Sequence, residues 1–257
     1  MTTPLLIEDR GAVRILTLNR PELHNAMDSD LYERVIRALQ AADADDAIRV
    51  VVLCGAGRSF CAGADTGEFA GLTPDQVERV EYRAGLTYGL HKVIPEMAKP
   101  VIAAVHGYAV GGGCGITLAC DIAIAADTAK LGYPEIKHGL VAAVVMANLT
   151  KQVGRKAAFE LVASGRLVGA AEAREIGMVT RVVPAGTQLD EAIRTAEDLA
   201  QRVPAALQAT KRLFHSVADV PLAEGLVLGR KANEAMRGYR ADALKNYAGA
   251  VQAARSR

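Results

Sequence analysis

Apolar residues recur along the chain in two rhythms, and the rhythm changes near Gly139. Before it, short β-branched runs alternate with helical stretches. Residues 13–19 alternate apolar and polar positions and stop at Arg20-Pro21, which predicts a strand and then a turn. Asp28 stands where it would cap a helix running to about Ala42, with Leu31, Val35, Ile36 and Leu39 on one face. Residues 49–53 form a continuous apolar run, suited to a strand buried on both sides. Thr73-Pro74-Asp75-Gln76 predicts a helix start, with proline at the first position and glutamine where a capping box needs it. That helix extends towards His91. Lys99-Pro100 introduces a strand over 101–105, followed by a helix over 113–119 and a strand over 121–126. Strand, crossover helix and strand in succession predict parallel pairing with right-handed connections.

Beyond Gly139 the helical period dominates. Residues 142–153, 156–163, 170–176, 190–201, 205–217, 222–236 and 241–254 read as helices, interrupted by one strand over 179–183. The predicted organisation is a β/α core over 1–185 and a helical region over 186–257. The last region carries Leu222, Leu226, Leu228 and Met236, a face suited to packing on a partner subunit. No internal repeat and no low-complexity linker stands out.

Half of the residues are hydrophobic (51%), so a large core can form, and with no Trp it must be filled by aliphatic and small side chains. The formal net charge of +1 argues against nucleic acid as the main partner, which demands a basic face. The first residues, Met1-Thr2-Thr3-Pro4-Leu5-Leu6-Ile7, show no basic segment leading into an apolar one, which predicts no signal peptide and a cytoplasmic protein. The apolar stretch 101–126 is broken by His106, Asp121 and glycines, so it reads as core rather than as a membrane span. Cys54, Cys61, Cys114 and Cys120 fit no zinc spacing and no Cys-x-x-Cys motif, which predicts reduced, buried thiols.

Two glycine-centred segments carry the candidate chemistry. Arg58-Ser59-Phe60-Cys61-Ala62-Gly63-Ala64-Asp65 follows the run at 49–53, and Gly107-Tyr108-Ala109-Val110-Gly111-Gly112-Gly113-Cys114-Gly115 follows that at 101–105. The second segment matches neither the dinucleotide fingerprint nor a P-loop, and alone it favours tight packing over function. Two such segments change the balance. Glycine and alanine leave a backbone N–H uncovered, and two converging amides make an oxyanion hole for a carbonyl that becomes enolate-like. Enolate chemistry needs a proton carrier. Glu135, in Leu131-Gly132-Tyr133-Pro134-Glu135-Ile136, would lose solvation there and become a base suited to neutral pH; a surface glutamate after a proline is the plainer alternative. Asp121 reads as a structural carboxylate accepting backbone N–H bonds, His106 as a core or loop hydrogen-bonder, and His138 as an exposed residue near enough to tune Glu135. No Gly-x-Ser-x-Gly elbow and no metal site is apparent.

These segments, with Leu18-Asn19-Arg20-Pro21, Asn25-Ala26-Met27, Lys99-Pro100, Cys120-Asp121-Ile122, Ala171-Glu172-Ala173 and Gly177-Met178-Val179, resemble the crotonase (enoyl-CoA hydratase/isomerase) superfamily along nearly the whole chain. The resemblance implies an α/β fold, a crotonase-like spiral of β-β-α turns with a C-terminal helical trimerisation region, assembled as a homotrimer or as a hexamer made of two trimers. It implies an acyl-CoA thioester as substrate and no cofactor, coenzyme A being part of the substrate. It places the oxyanion amides at Ala64 and Gly112 and an acid/base group at Glu135. It lays the segment containing Ala62, Ala64, Asp65, Thr66 and Gly67 along coenzyme A.

The chain departs from the pattern at Gly115, where a two-glutamate hydratase carries its other catalytic carboxylate. The implied function is enolate stabilisation of hydratase/isomerase type with Glu135 as acid/base. The alternatives are a 3,2-enoyl-CoA isomerase using one glutamate as proton shuttle, or a non-catalytic acyl-CoA binder. Ala143 stands where a dienoyl-CoA isomerase needs an aspartate, which disfavours that activity. The run from Gly139 to Met146 replaces a glycine-rich turn by bulky aliphatics, which predicts a different acyl pocket, and Thr66-Gly67 replaces a usual lysine. A carboxylate restored by Gly115→Glu is expected to raise hydration if that group is the only defect.

Overall fold

The computed structural model describes residues 3–255, with side chains described as far as residue 238. It contains two compact units, one ending at Glu197 and the other beginning at Asp198.

The first unit opens on β1 (Leu5–Arg10) and β2 (Val13–Leu18), an antiparallel pair with Arg10 opposite Val13 across a tight turn. α1 (Ser29–Ala44) starts as the sequence predicts: the Asp28 carboxylate accepts from the Leu31 amide at 2.9 Å, and Leu31, Val35 and Leu39 are buried. β3 (Val50–Gly55), β4 (Val101–Val105), β6 (Ile122–Ala126) and β9 (Arg181–Val183) extend the sheet in the order β1-β2-β3-β4-β6-β9, parallel from β2 onward. Leu16, Val51, Leu53, Val101, Ala103 and Ala125 face one core cluster together with α1 residues, while Val52, Ile102 and Ile124 on the alternate positions are buried too. Burial on both faces accounts for unbroken apolar runs in the parallel strands.

A second sheet joins three short strands, β5 (Tyr108–Val110), β7 (Lys130–Gly132) and β8 (Leu167–Gly169), in the order β5-β7-β8. The chain therefore winds in repeated turns. β4 passes to β5 and then to helix α4 (Gly112–Ala119); β6 passes to β7 and then to a 3₁₀ helix (Pro134–His138); and β4 lies parallel to β6 as β5 does to β7. The turn before has the same plan, with β3 leading to a single parallel bridge from Cys61 to Ala109.

Helices close the turns: α2 (Thr66–Ala70), α3 (Val77–Glu96), α5 (Met146–Gln152), α6 (Arg155–Ser164), α7 (Ala170–Glu175) and α8 (Gln188–Ala200). α3 begins after Gln76, three residues later than the Thr73-Pro74 signal predicts. Gln76 offers no side-chain cap, and the preceding residues form a turn closed by Gln76 N–H on Thr73 O. α5 likewise begins at Met146 rather than at 142, because residues 139–145 lie in a loop and turn. In the second unit α9 (Pro204–Val217) packs on α10 (Leu222–Arg255), which is one continuous helix where the sequence predicts two. Among the described residues no helix is long and apolar enough to cross a membrane.

Lys99 anchors α1 to the start of β4. Its buried Nζ donates to the carbonyls of Ala42 at 2.7 Å and Asp45 at 2.5 Å, which an unfinished helix end would otherwise leave open. Lys99→Met removes both charge-assisted bonds and is expected to lower stability by about 2–3 kcal/mol in urea denaturation. A loss under about 0.5 kcal/mol would contradict this role.

Candidate active site

The site is built where the two glycine segments meet backbone to backbone. Asn25 prepares the first segment. Fully buried and in a left-handed conformation at φ 57°, it accepts from the Arg20 amide at 2.9 Å and donates to Ala56 O at 2.9 Å and Ser59 O at 2.7 Å. Phe60 N–H then donates to His106 O at 2.8 Å, Cys61 N–H to Tyr108 O at 3.0 Å, and Val110 N–H back to Cys61 O at 3.0 Å. So close an approach leaves no room for side chains between the strands. A Cβ on Gly113 would lie 2.2 Å from Cys61 O, and one on Gly63, whose φ is +91°, would lie 2.9 Å from Val110 O and 3.2 Å from the Gly112 nitrogen.

This packing brings the Ala64 and Gly112 amides into one neighbourhood. Gly112 opens α4, so its N–H has no partner within the helix. Ala64 forms a parallel bridge with Met27, in which Met27 N–H donates to Gly63 O at 2.8 Å and Asp65 N–H to Met27 O at 3.1 Å. The Ala64 N–H therefore points away from Met27. Among the described residues neither amide donates a hydrogen bond to the protein. In the glycine cluster, Gly111, Gly113, Cys114 and Gly115 are buried and Gly112 is partly open. Two uncovered donors, with the positive end of a helix behind one of them, are what an oxyanion hole requires.

Glu135 sits in the first turn of the 3₁₀ helix, half-buried, with Oε1 3.0 Å from where a Cβ on Gly111 would stand. Its Oε2 is buried with no hydrogen-bond partner. Burial pushes its carboxyl above the ordinary carboxylate range, opposed in part by its own backbone amide and by His138. The carboxylate thus lies beside the residue that precedes the Gly112 amide, and it favours holding a proton more than a surface glutamate does. His138 is exposed.

At Gly115 a Cβ would stand 2.4 Å from Val145 Cγ1 and 2.6 Å from His91 Nε2. A side chain at 115 must displace one or both neighbours, so Gly115→Glu would do more than restore a carboxylate. Both neighbours escape a local reading. Val145 lies in the turn before α5, and His91 belongs to an inward polar stripe of α3, at positions 83, 87 and 91. Arg83 in that stripe is buried and donates to Glu68 Oε2 at 3.0 Å, Thr87 Oγ1 at 2.6 Å and Met27 O at 3.0 Å, with its guanidinium 4.1 Å above the Tyr32 ring. Tyr32 Oη in turn lies 3.1 Å from a Cβ position on Gly112. The four-residue spacing of Arg83, Thr87 and His91 is the sequence signal for this stripe, and it points inward while Val77, Tyr82 and Tyr88 are exposed.

The other predicted residues have defined places. Ala62 donates its N–H to His24 O at 2.9 Å. The Asp65 carboxylate pairs with Arg20 at 2.8 Å and accepts from the Gly67 amide at 2.9 Å and the Glu68 amide at 3.3 Å, so it caps α2. Burial opposes its ionisation, but Arg20 and the two amides outweigh that and lower its pKa. Thr66 and Gly67 are exposed just beyond. Asp121 accepts from the Val101 amide at 2.8 Å, the structural role expected, although it is only partly buried. His106 Nε2 contacts Gly57 O at 3.1 Å. The four cysteines are buried and form no disulfide, and burial pushes the thiols of Cys61 and Cys114 up to about 12, which leaves them protonated and poor nucleophiles.

Comparison with known proteins finds relatives along most of the chain. The Enoyl-CoA hydratase/isomerase family model matches residues 8–242. A Rhizobium meliloti protein named "Probable enoyl-CoA hydratase" is 42% identical over 88% of this chain and 87% of its own length. The 2,3-dehydroadipyl-CoA hydratase of Escherichia coli is 34% identical over 88% of each chain. The crystal structure of an enoyl-CoA hydratase from Bacillus anthracis superposes with a TM-score of 0.91 at 31% identity, covering 96% of both chains.

The tight fit at Gly115 gives a direct test. Gly115→Ala should destabilise the protein by about 1–3 kcal/mol, the usual cost of overpacking, and Val145→Ala in the same chain should recover most of the loss. Thermal or urea unfolding of the single and double variants measures both. A Gly115→Ala protein as stable as wild type contradicts the contact.

Proposed function

The chain belongs to the enoyl-CoA hydratase/isomerase family, and we propose that Glu135 is its proton carrier and that the amides of Ala64 and Gly112 hold the thioester oxygen of an acyl-CoA substrate. The enzyme type is that of the family, and its fold is the crotonase spiral. The observation that carries the assignment of roles is the half-buried, proton-favouring Glu135 carboxyl set against Gly111, one residue before the Gly112 amide.

The chemistry follows from the charge that develops. When the α-carbon gives its proton to Glu135, the C–H electron pair moves into the carbon–carbon bond and negative charge gathers on the thioester oxygen. Two amides aimed at that oxygen lower the barrier, each by about 2.7–4 kcal/mol on the scale of measured oxyanion donors. In isomerisation the same carboxyl returns the proton at another carbon; in hydration it protonates the α-carbon as oxygen joins the β-carbon. Both directions pass through one enolate; hydration also consumes a water, whose oxygen bonds to the β-carbon as one of its protons leaves to a base. The stretch from Ala62 to Gly67, held by the Arg20–Asp65 pair, is the proposed bed for coenzyme A, within a core assigned to residues 1–185.

The helical region over 186–257 is the proposed contact for a homotrimer, or for two such trimers. Its exposed apolar side chains support this, with Leu222 79% and Leu226 65% exposed. A cytoplasmic setting suits buried thiols that form no disulfide.

Glu135→Gln should cut turnover of crotonyl-CoA and of a 3-enoyl-CoA by about 10²–10⁴-fold in steady-state assays. Undiminished turnover of either substrate rules out Glu135 for that reaction. Binding of both esters by wild type with turnover of neither would favour the binder.

The same variant has a second expected effect, on stability. The folded-state pKa of Glu135 is raised, so at neutral pH the folded protein bears the cost of an ionised, partly desolvated carboxylate; this cost fades as pH falls through the raised value and is gone below the unfolded value of about 4.3. Glu135→Gln should therefore unfold at a higher temperature than wild type at pH 7 and lose that advantage near pH 4. An advantage that grows on acidification contradicts the sign.

Leu226→Glu should lower the mass seen by analytical ultracentrifugation. A wild-type monomer at micromolar concentration excludes the trimer.

A further inference from the structure

The buried side-chain polar atoms without a partner, among the described residues, are His91 Nε2, His106 Nδ1, Tyr133 Oη and Glu135 Oε2. Two of them lie against α4 or its cap, one turn apart. Glu135 Oε1 lies 3.0 Å from a Cβ position on Gly111, His91 Nε2 lies 2.6 Å from that on Gly115, and the Gly115 amide donates to Gly111 O at 3.0 Å. The carboxylate and the imidazole are thus seated on positions 111 and 115, one helical turn or about 5.4 Å of rise apart on the same short element.

The state of the imidazole is fixed by its other nitrogen. Nδ1 lies 2.8 Å from Thr87 O, and a carbonyl can only accept, so Nδ1 carries the hydrogen and Nε2 presents a bare lone pair. Only 6% of His91 is exposed. Burial lowers its pKa, against the opposing pull of the Thr87 carbonyl, so it stays neutral. A histidine needed only for packing would leave that lone pair at a net cost.

We propose that His91 Nε2 is the second acid/base atom of the site and accepts a hydrogen bond from the water that adds to, or the hydroxyl that leaves from, the β-carbon. This rests on the reading of Glu135 as the group that serves the α-carbon. In the hydration direction, a water O–H gives its proton to Nε2 as its oxygen bonds to the β-carbon. The π pair of the double bond passes to the α-carbon, which takes the proton of the Glu135 carboxylic acid. The site is left as imidazolium and carboxylate, and a proton passing from the first to the second through solvent restores it. Val145 must give way for water to reach Nε2, and it stands in the turn before α5 rather than in a sheet.

Two reactions separate the roles. Exchange of the α-protons of butyryl-CoA in deuterium oxide needs Glu135 and the oxyanion amides but no attacking water; hydration of crotonyl-CoA needs all three. In His91→Phe the ratio of hydration rate to exchange rate should fall about 100-fold or more, on the scale of a general base. His91→Gln, which keeps an acceptor, should fall less, and it carries the test should the phenylalanine variant fail to fold. An unchanged ratio, or parallel loss of both reactions, overturns the proposal and leaves His91 as packing. Exchange that survives Glu135→Gln would instead sink the Glu135 reading, independently of His91.

Discussion

The rest of the site depends on a single backbone contact. Cys61 exchanges hydrogen bonds with Tyr108 and Val110, and Phe60 bonds to His106, so two consecutive turns of the spiral touch main chain to main chain. This contact draws Gly63-Ala64 towards Gly111-Gly112, so that a Cβ on Gly63 would lie 3.2 Å from the Gly112 nitrogen. It also forbids side chains at Gly63 and Gly113, where an added Cβ would fall 2.9 and 2.2 Å from carbonyl oxygens. Energetically each bond is modest, about 1 kcal/mol net. Geometrically the contact is decisive, because an oxyanion hole gains its strength from donors already in place before charge develops.

Around that contact, polar groups within the core hold the loops that sheets cannot hold. Asn25 ties the first segment through three hydrogen bonds, Arg20 joins Asp28 to Asp65, and Arg83 joins Glu68 to Met27. Glu68 in turn accepts from the Ser29 amide at 3.1 Å. The start of α1, the start of α2 and the middle of α3 are thus linked through charged groups that have partners. Removing one partner of such a set strands the others, which is why these residues position the site more firmly than their small net contribution to stability suggests.

How much of this is legible in the sequence follows from the range of each interaction. β3, β4 and β6 are legible because burial on both faces demands unbroken apolar runs, and the start of α1 because Asp28 makes a local cap. β5, β7 and β8 are three residues each and exist through pairing with distant turns, so no local period marks them. β1 is exposed except at Leu5 and shows no alternation. α3 starts late because the proline signal at Thr73-Pro74 is used by a turn. In the site, Ala64, Gly112 and Glu135 are legible as candidates from their glycine and apolar surroundings. The seating of Glu135 on Gly111 is not, nor is the filling of the Gly115 seat by Val145 and His91, since both join residues that are far apart in the chain.

That last pair bears on how the site can evolve. Glu135 Oε2 and His91 Nε2 are both buried without protein partners, and each such atom costs about 1–3 kcal/mol of stability. Either cost could be relieved by one substitution, an apolar residue at 135 or at 91. A larger residue at 115 is not a comparable route, because Val145 and His91 already fill that space. The glycine at 115 therefore has a physical reason to stay as long as Val145 and His91 stay, since any side chain there competes with both for the same volume.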